Sequence, residues 1–190
     1  MRARAVLLLA ALGLSGCSTL SYYSHVFSGG WQVLQGRQPI AEILADPAAD
    51  ARLKTRLAGV QAARHFAARA LALPDNGSYT EYTALDRPYV LWNVFAAPEL
   101  SLQPVTHCFP IAGCVAYRGY YRQSLADDEA RLLQEQGYET FVGGVSAYST
   151  LGWFDDPVLS TMLVWDDERL AATLFHELAH QVAYVGGDTA

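Results

Sequence analysis

Three residues near the end of the chain have the types and spacing to hold a metal ion and move a proton. In Leu174-Phe175-His176-Glu177-Leu178-Ala179-His180-Gln181, two imidazoles stand four residues apart. On a helix that spacing puts both rings on one face, one turn from each other. Two neutral imidazoles so placed can bind one Zn2+ at about 2.0–2.1 Å. Glu177 follows the first histidine and precedes the second by three positions. From there its carboxylate can reach a water at the metal without becoming a ligand. Zinc acidifies that water, and Glu177 can take its proton and return it to a leaving amine. The other reading of the same residues is a helix with two exposed histidines and an incidental glutamate.

The helix that carries these groups is expected to start at a cap on Asp166 or Asp167, to run from Glu168 to about Tyr184, and to end at Gly186-Gly187. Leu170, Leu174, Leu178 and Val182 form its apolar face and would seat it on the domain. Asp46 followed by Pro47 predicts the start of another helix, running to about Leu73 with Leu53, Leu57, Val60, Ala67 and Leu71 buried. Arg52, Lys54, Arg56, Arg64 and Arg69 read as its solvated face, and Pro74-Asp75-Asn76-Gly77 as a turn. Tyr89–Phe95 has the aromatic and β-branched content of a strand, and a second strand is expected around Val115–Tyr117. Ser124-Leu125-Ala126-Asp127 resembles a capping box for a helix ending at Gly137. Tyr138–Val142 is a further strand leading into Gly143-Gly144, and Ser146–Asp156 is an aromatic loop. Helix, strands, helix, strand, helix defines an α+β domain.

The first residues carry an address. Arg2 and Arg4 precede an apolar run, Ala5–Leu12, that is too short to span a bilayer. Leu14-Ser15-Gly16-Cys17 has the form of a bacterial lipobox, in which the Cys17 thiol becomes the thioether carrying a diacylglycerol. The division expected is a signal peptide over 1–16, a lipidated N-terminus and tether over 17–45, and the domain over 46–190. Ser18, rather than Asp, follows the cysteine, which by resemblance to Gram-negative lipoproteins favours the outer membrane, with the protein facing the periplasm. Cys108 and Cys114 flank Pro110 and Gly113, which let the chain double back, so in an oxidising compartment a disulfide is expected. A metal site there would have only His107 to add.

The remaining composition narrows the classes. Hydrophobic residues make up 52% of the 190 residues and charged residues 17%, enough for a core and too little charge for extended disorder. The net charge is −6, becoming −8 once Arg2 and Arg4 leave with the signal peptide. No basic stripe is present, so nucleic acid is not an expected partner.

Taken together, the zinc helix, the Cys108–Cys114 loop running into Tyr117-Arg118-Gly119-Tyr120-Tyr121, and Gly143-Gly144-Val145-Ser146-Ala147-Tyr148-Ser149-Thr150-Leu151-Gly152-Trp153-Phe154 resemble the bacterial predicted-aminopeptidase family of zinc lipoproteins. The resemblance covers nearly all of the mature chain. It implies the front portion of a zincin-like, gluzincin-type zinc peptidase acting on peptides, with His176 and His180 as ligands and Glu177 as general base. A gluzincin takes a third ligand, a glutamate, from a following helix, and the chain reaches Ala190 ten residues after His180. The expectation is therefore a fragment whose third ligand lies beyond residue 190, with Asp188 the only late carboxylate in hand. Tyr138–Val145 is expected as an edge strand able to pair with an extended peptide. Gly143 and Gly144 either admit a substrate backbone or mark a bulge, and Tyr148 either steadies an oxyanion or belongs to the core. The rival to the enzyme is an envelope lipoprotein that keeps a degenerate peptidase fold without catalysis.

Overall fold

A computed structural model describes residues 2–109, 113–150 and 152–183, with backbone alone up to Ser18. The side chain of Cys17, and Pro110, Gly186, Gly187 and Asp188, fall outside the described residues.

The chain begins with helix α1 (Arg2–Gln35), then β1 (Arg37–Pro39) and the short α2 (Ile40–Ala45). The stretch 18–45, for which the sequence shows no period, is therefore helical through Gln35, and Val33, Ile40 and Ile43 are buried in the core. Its lack of period has a cause. His25, Gly29 and Val33 are buried against the domain, while large apolar side chains occupy the opposite side, so neither face reads as polar. His25 Nε2 accepts the backbone N–H of Tyr121 at 3.0 Å. Gly29 lies so close to the Tyr121 ring that an added Cβ would fall 2.2 Å from its Cγ.

Helix α3 (Ala51–Ala70) starts four residues later than Asp46-Pro47 suggests, because Asp50 is the cap, accepting from Leu53 N–H at 2.8 Å. Asp46 instead closes the preceding turn by accepting from Ala48 N–H at 2.8 Å. Leu57, Val60 and Ala67 are buried as expected, but Leu71 lies beyond the helix end and is exposed. Arg56 and Arg64 are not solvated. They reach across to other elements, as described below.

Two small sheets follow. In the first, β1, β2 (Glu81–Thr83) and β8 (Val158–Leu159) lie in the order β1-β2-β8, with the β2–β8 pair parallel. In the second, β3 (Leu91–Pro98) lies between β6 (Tyr117–Tyr120) and β7 (Tyr138–Val145), all antiparallel. Trp92, Val94 and Ala96 of β3 face helix α4 (Gln123–Glu135) and form one core with Tyr120, Ala126, Ala130 and Leu133. Alternation then sends Leu91, Asn93 and Phe95 to the other face. Helix α4 begins at Gln123 with no side-chain cap, so Ser124 does not form the expected box, whereas Gly137 takes the left-handed conformation expected after the helix, at φ +90°. The hairpin β4 (His107–Phe109) and β5 (Gly113–Val115) pairs Cys108 with Cys114, and the two are joined by a disulfide. The last helix, α5 (Asp167–His180), packs Leu170, Leu174 and Leu178 into the larger core beside Leu57, Val60, Val158 and Met162. The molecule is α+β.

The seat of α1 gives a direct prediction. Gly29→Ala has no room beside Tyr121, and overpacking of this kind costs about 1–3 kcal/mol. The melting temperature should fall accordingly, while Gly59→Ala on α3, with nothing within 4 Å of the added methyl, should not lower it.

Candidate active site

The local sequence of α5 explains where its functional groups point. Asp166 caps the helix, accepting from Arg169 N–H at 2.7 Å, and Asp167 and Glu168 sit in the first turn, where the helix dipole favours negative charge. The buried leucines at every fourth position fix the rotation of the helix, which leaves His176 and His180 on a different side from the core. Val182, expected on the apolar face, is 68% exposed because the helix ends at His180 and not near Tyr184.

His176 and His180 converge. Their Nε2 atoms are 2.9 Å apart and their ring centroids 4.4 Å. Two nitrogens on a tetrahedral zinc at 2.0–2.1 Å would stand roughly 3.3–3.4 Å apart. The pair therefore needs to open by only a few tenths of an ångström, and the donor set suits zinc. Among the described residues no third His, Cys, Asp or Glu joins them in a cluster able to hold a metal.

Glu177, between the two histidines in sequence, lines a cavity of about 270 Å³ together with His180. Burial raises its pKa, His176 lowers it, and the charge of Asp156 raises it further. A carboxylate tuned upward is a better proton acceptor near neutral pH. Asn93, Tyr117, Val145 and Tyr148 form other parts of the same wall.

The expected substrate residues divide. Tyr148 lines the cavity, and its hydroxyl oxygen accepts from the Tyr121 hydroxyl at 3.5 Å. Burial, then the neighbouring Tyr121, holds its pKa well above the usual value, so it stays protonated and able to donate. Gly143 and Gly144 are regular members of β7 and form no bulge. An added Cβ on Gly144 would lie 2.4–2.5 Å from Tyr89 ring atoms, so a stacked aromatic explains that glycine. Gly143 pairs with Asn93 in register, as does Gly119 on the opposite neighbour. Strand β7 is the edge of its sheet among the described residues.

Several site residues carry no signal in the sequence beyond a turn. Asn76, Ser78, Tyr79 and Asp156 sit behind Glu177. Gln181, which follows the second histidine, donates to Ser78 Oγ at 3.1 Å and accepts from Asn76 Nδ2 at 2.7 Å. Arg64 holds the same turn through the Ser78 carbonyl at 2.9 Å and the Asn76 carbonyl, and Arg56 binds Asp167 and the Trp165 carbonyl at the opposite end of α5. Tyr79 has φ +61°, is 1% exposed, and its hydroxyl has no partner among the described residues. Burial raises its pKa, and the charges of Asp156 and Glu177 add to this. Such strain in a non-glycine residue is typical of functional sites. Asn93 Oδ1 is likewise buried with no partner among the described residues. Asp156 is 3% exposed and accepts from Thr150 N–H at 2.9 Å.

Residues 21–190 match the model of the family described as "Putative aminopeptidase", and the chain belongs to that family. No curated protein and no solved structure matches it.

Two outcomes follow from this geometry. Burial raises the Asp156 pKa in the folded state, against the hydrogen bonds from Thr150 and Ser149 that lower it. Between the ordinary carboxylate pKa of about 3.9 and that raised value the folded protein binds more protons than the unfolded one, so stability falls as pH rises. Asp156→Asn lacks this fall. The melting temperature of the variant relative to wild type should therefore climb with pH across that window, and a flat difference would show that the carboxylate is not titrating there. Gly144→Ala should cost about 1–3 kcal/mol through its collision with Tyr89. Gly143→Ala, which meets only the end of the exposed Phe141 ring at 3.0 Å, should cost less.

Proposed function

We propose that the protein is a zinc-dependent peptidase of the bacterial envelope, of aminopeptidase type, anchored to the outer membrane through a lipid on Cys17. The fold is taken to be zincin-like. The observation that carries the reading is the convergence of the His176 and His180 Nε2 atoms, 2.9 Å apart, with His180 and the half-buried Glu177 on the wall of one cavity. Membership of an aminopeptidase family supports peptides as the substrate class.

His176 and His180 would hold zinc through Nε2, each keeping its proton on Nδ1. Bound there, zinc supplies Lewis acidity toward the peptide carbonyl and toward water. Glu177 accepts the proton of the attacking water on a carboxylate oxygen and then delivers it to the nitrogen of the leaving amine. Its raised pKa suits both halves of that transfer. The protonated Tyr148 hydroxyl donates toward the oxygen that gains charge when the carbonyl is attacked. Asn93 lines the same cavity, with its Oδ1 buried and unpartnered among the described residues, beside Gly119. The outer edge of β7 is available to pair with an extended substrate.

The test uses the full-length gene product, with zinc measured by elemental analysis beside activity on peptides with free and blocked amino termini. Glu177→Gln should keep about one zinc per chain and lose roughly 10²–10⁴-fold in turnover, because the amide cannot accept the proton. His176→Ala and His180→Ala should lose the zinc. Cleavage confined to free amino termini supports the aminopeptidase assignment. A wild type without zinc after reconstitution, or a Glu177→Gln protein as fast as wild type, overturns the mechanism and leaves the non-catalytic lipoprotein.

A further inference from the structure

The side of α1 that faces away from the domain is an uncovered apolar stripe, and we propose that it lies in the plane of a lipid surface. The proposal rests on the lipid attachment at Cys17 argued above. From Ser18 to Gly36 the chain contains no Asp, Glu, Lys or Arg. His25, Gly29 and Val33, at steps of four, are the buried line against the domain. Leu20, Tyr23, Phe27 and Trp31, at steps of three, four and four, fall on the opposite side of the helix. Their exposures are 72%, 43%, 73% and 52%. The Phe27 and Trp31 rings are stacked on one another, with centroids 6.3 Å apart and 10° between their planes, and this leaves one continuous apolar patch. Contiguous exposed patches of this kind mark interaction surfaces.

Chemistry and position select the occupant. Tyr23 and Trp31, aromatic residues with a polar edge on a helical stretch that itself carries no charged residue, are of the kind that collects at the boundary between headgroups and acyl chains. Leu20 is three residues from Cys17 and Trp31 fourteen, all within the one helix. At 1.5 Å per residue, Trp31 is about 21 Å from Cys17 along the axis. A helix standing upright on its anchor would carry Trp31 well past the roughly 5–10 Å depth of interfacial burial. Lying flat, it brings all four side chains into that layer, with the domain on the side away from the lipid. No helix among the described residues is long and apolar enough to cross a membrane, so the helix rests on the surface.

The experiment separates this stripe from the anchor. The full-length gene product exported with Cys17→Ser carries no acyl chain, and its co-sedimentation with vesicles of phosphatidylethanolamine and phosphatidylglycerol is measured. Binding is expected, with part of the tryptophan fluorescence quenched by brominated acyl chains and that part lost in Trp31→Phe. Adding Phe27→Ala and Trp31→Ala should lower the vesicle partition coefficient by at least about tenfold, given the apolar area removed. Leu102→Ala, at a more exposed position far from the stripe in sequence, should leave it unchanged. Absence of vesicle binding, or equal binding by the double variant, overturns the proposal. So does a lipid-free dimer that the double substitution dissolves, since the stripe would then belong to a second copy. Mass spectrometry of wild-type Cys17 reads the anchor by itself: an unmodified thiol with vesicle binding intact removes the anchor and leaves the lipid-facing stripe standing.

Discussion

Everything at the candidate site depends on the seat of α5. Leu170, Leu174 and Leu178 are buried almost completely against α3 and β8, and burying a leucine stabilises by about 1.5–3 kcal/mol each. That apolar contact sets the rotation of the helix but would leave its ends free to fray. Two arginines of α3 act there. Arg56 binds the start of α5 through Asp167 and the Trp165 carbonyl, and Arg64 grips the 75–78 turn that Gln181 in turn grips. The His176 and His180 pair, at the C-terminal end of the helix, sits where backbone carbonyls lose their partners. The Gln181 bridge immediately after His180 counters the fraying expected at that point.

The same region carries polar groups whose burial costs stability. Asp156 and Glu177 are carboxylates whose pKa values burial pushes up, Tyr79 is strained and its hydroxyl unpartnered, and Asn93 Oδ1 is orphaned. An unsatisfied buried polar atom costs about 1–3 kcal/mol. An apolar core would have avoided each of these costs by substituting leucine or phenylalanine. Their concentration around Glu177 distinguishes that region from the α4 core, where Trp92, Val94, Ala126 and Leu133 pack without a buried carboxylate.

How much of this could be read from the sequence follows from the range of the interactions involved. The α5 helix, its Asp166 cap and its leucine stripe are local and legible, as are the α+β class and the disulfide between Cys108 and Cys114. Helix α1 was not legible after Ser18, because a helix with apolar side chains on two faces has no single period to detect. The start of α3 was misplaced because Asp46 and Asp50 are both good caps, and only the packing of Leu57 and Val60 decides between them. Strands β1, β2 and β8 are two or three residues each, too short to show alternation, and exist because Ile40, Tyr82 and Val158 share a core.

The arginines expose the deeper limit. Arg56 and Arg64 sit on α3 at positions where a helix facing solvent would place them, and composition alone cannot tell a solvated guanidinium from one that spans two elements. Arg64 is separated in sequence from Ser78 by fourteen residues, and Arg56 from Asp167 by 111. The decision between the two depends on where α5 lies, and that is fixed by leucines that are themselves legible. The His176, Glu177 and His180 triplet can therefore be found from its spacing. The framework that holds it, Arg56, Arg64, Asn76, Ser78 and Gln181, consists of ordinary surface residue types whose role exists only once the two helices have met.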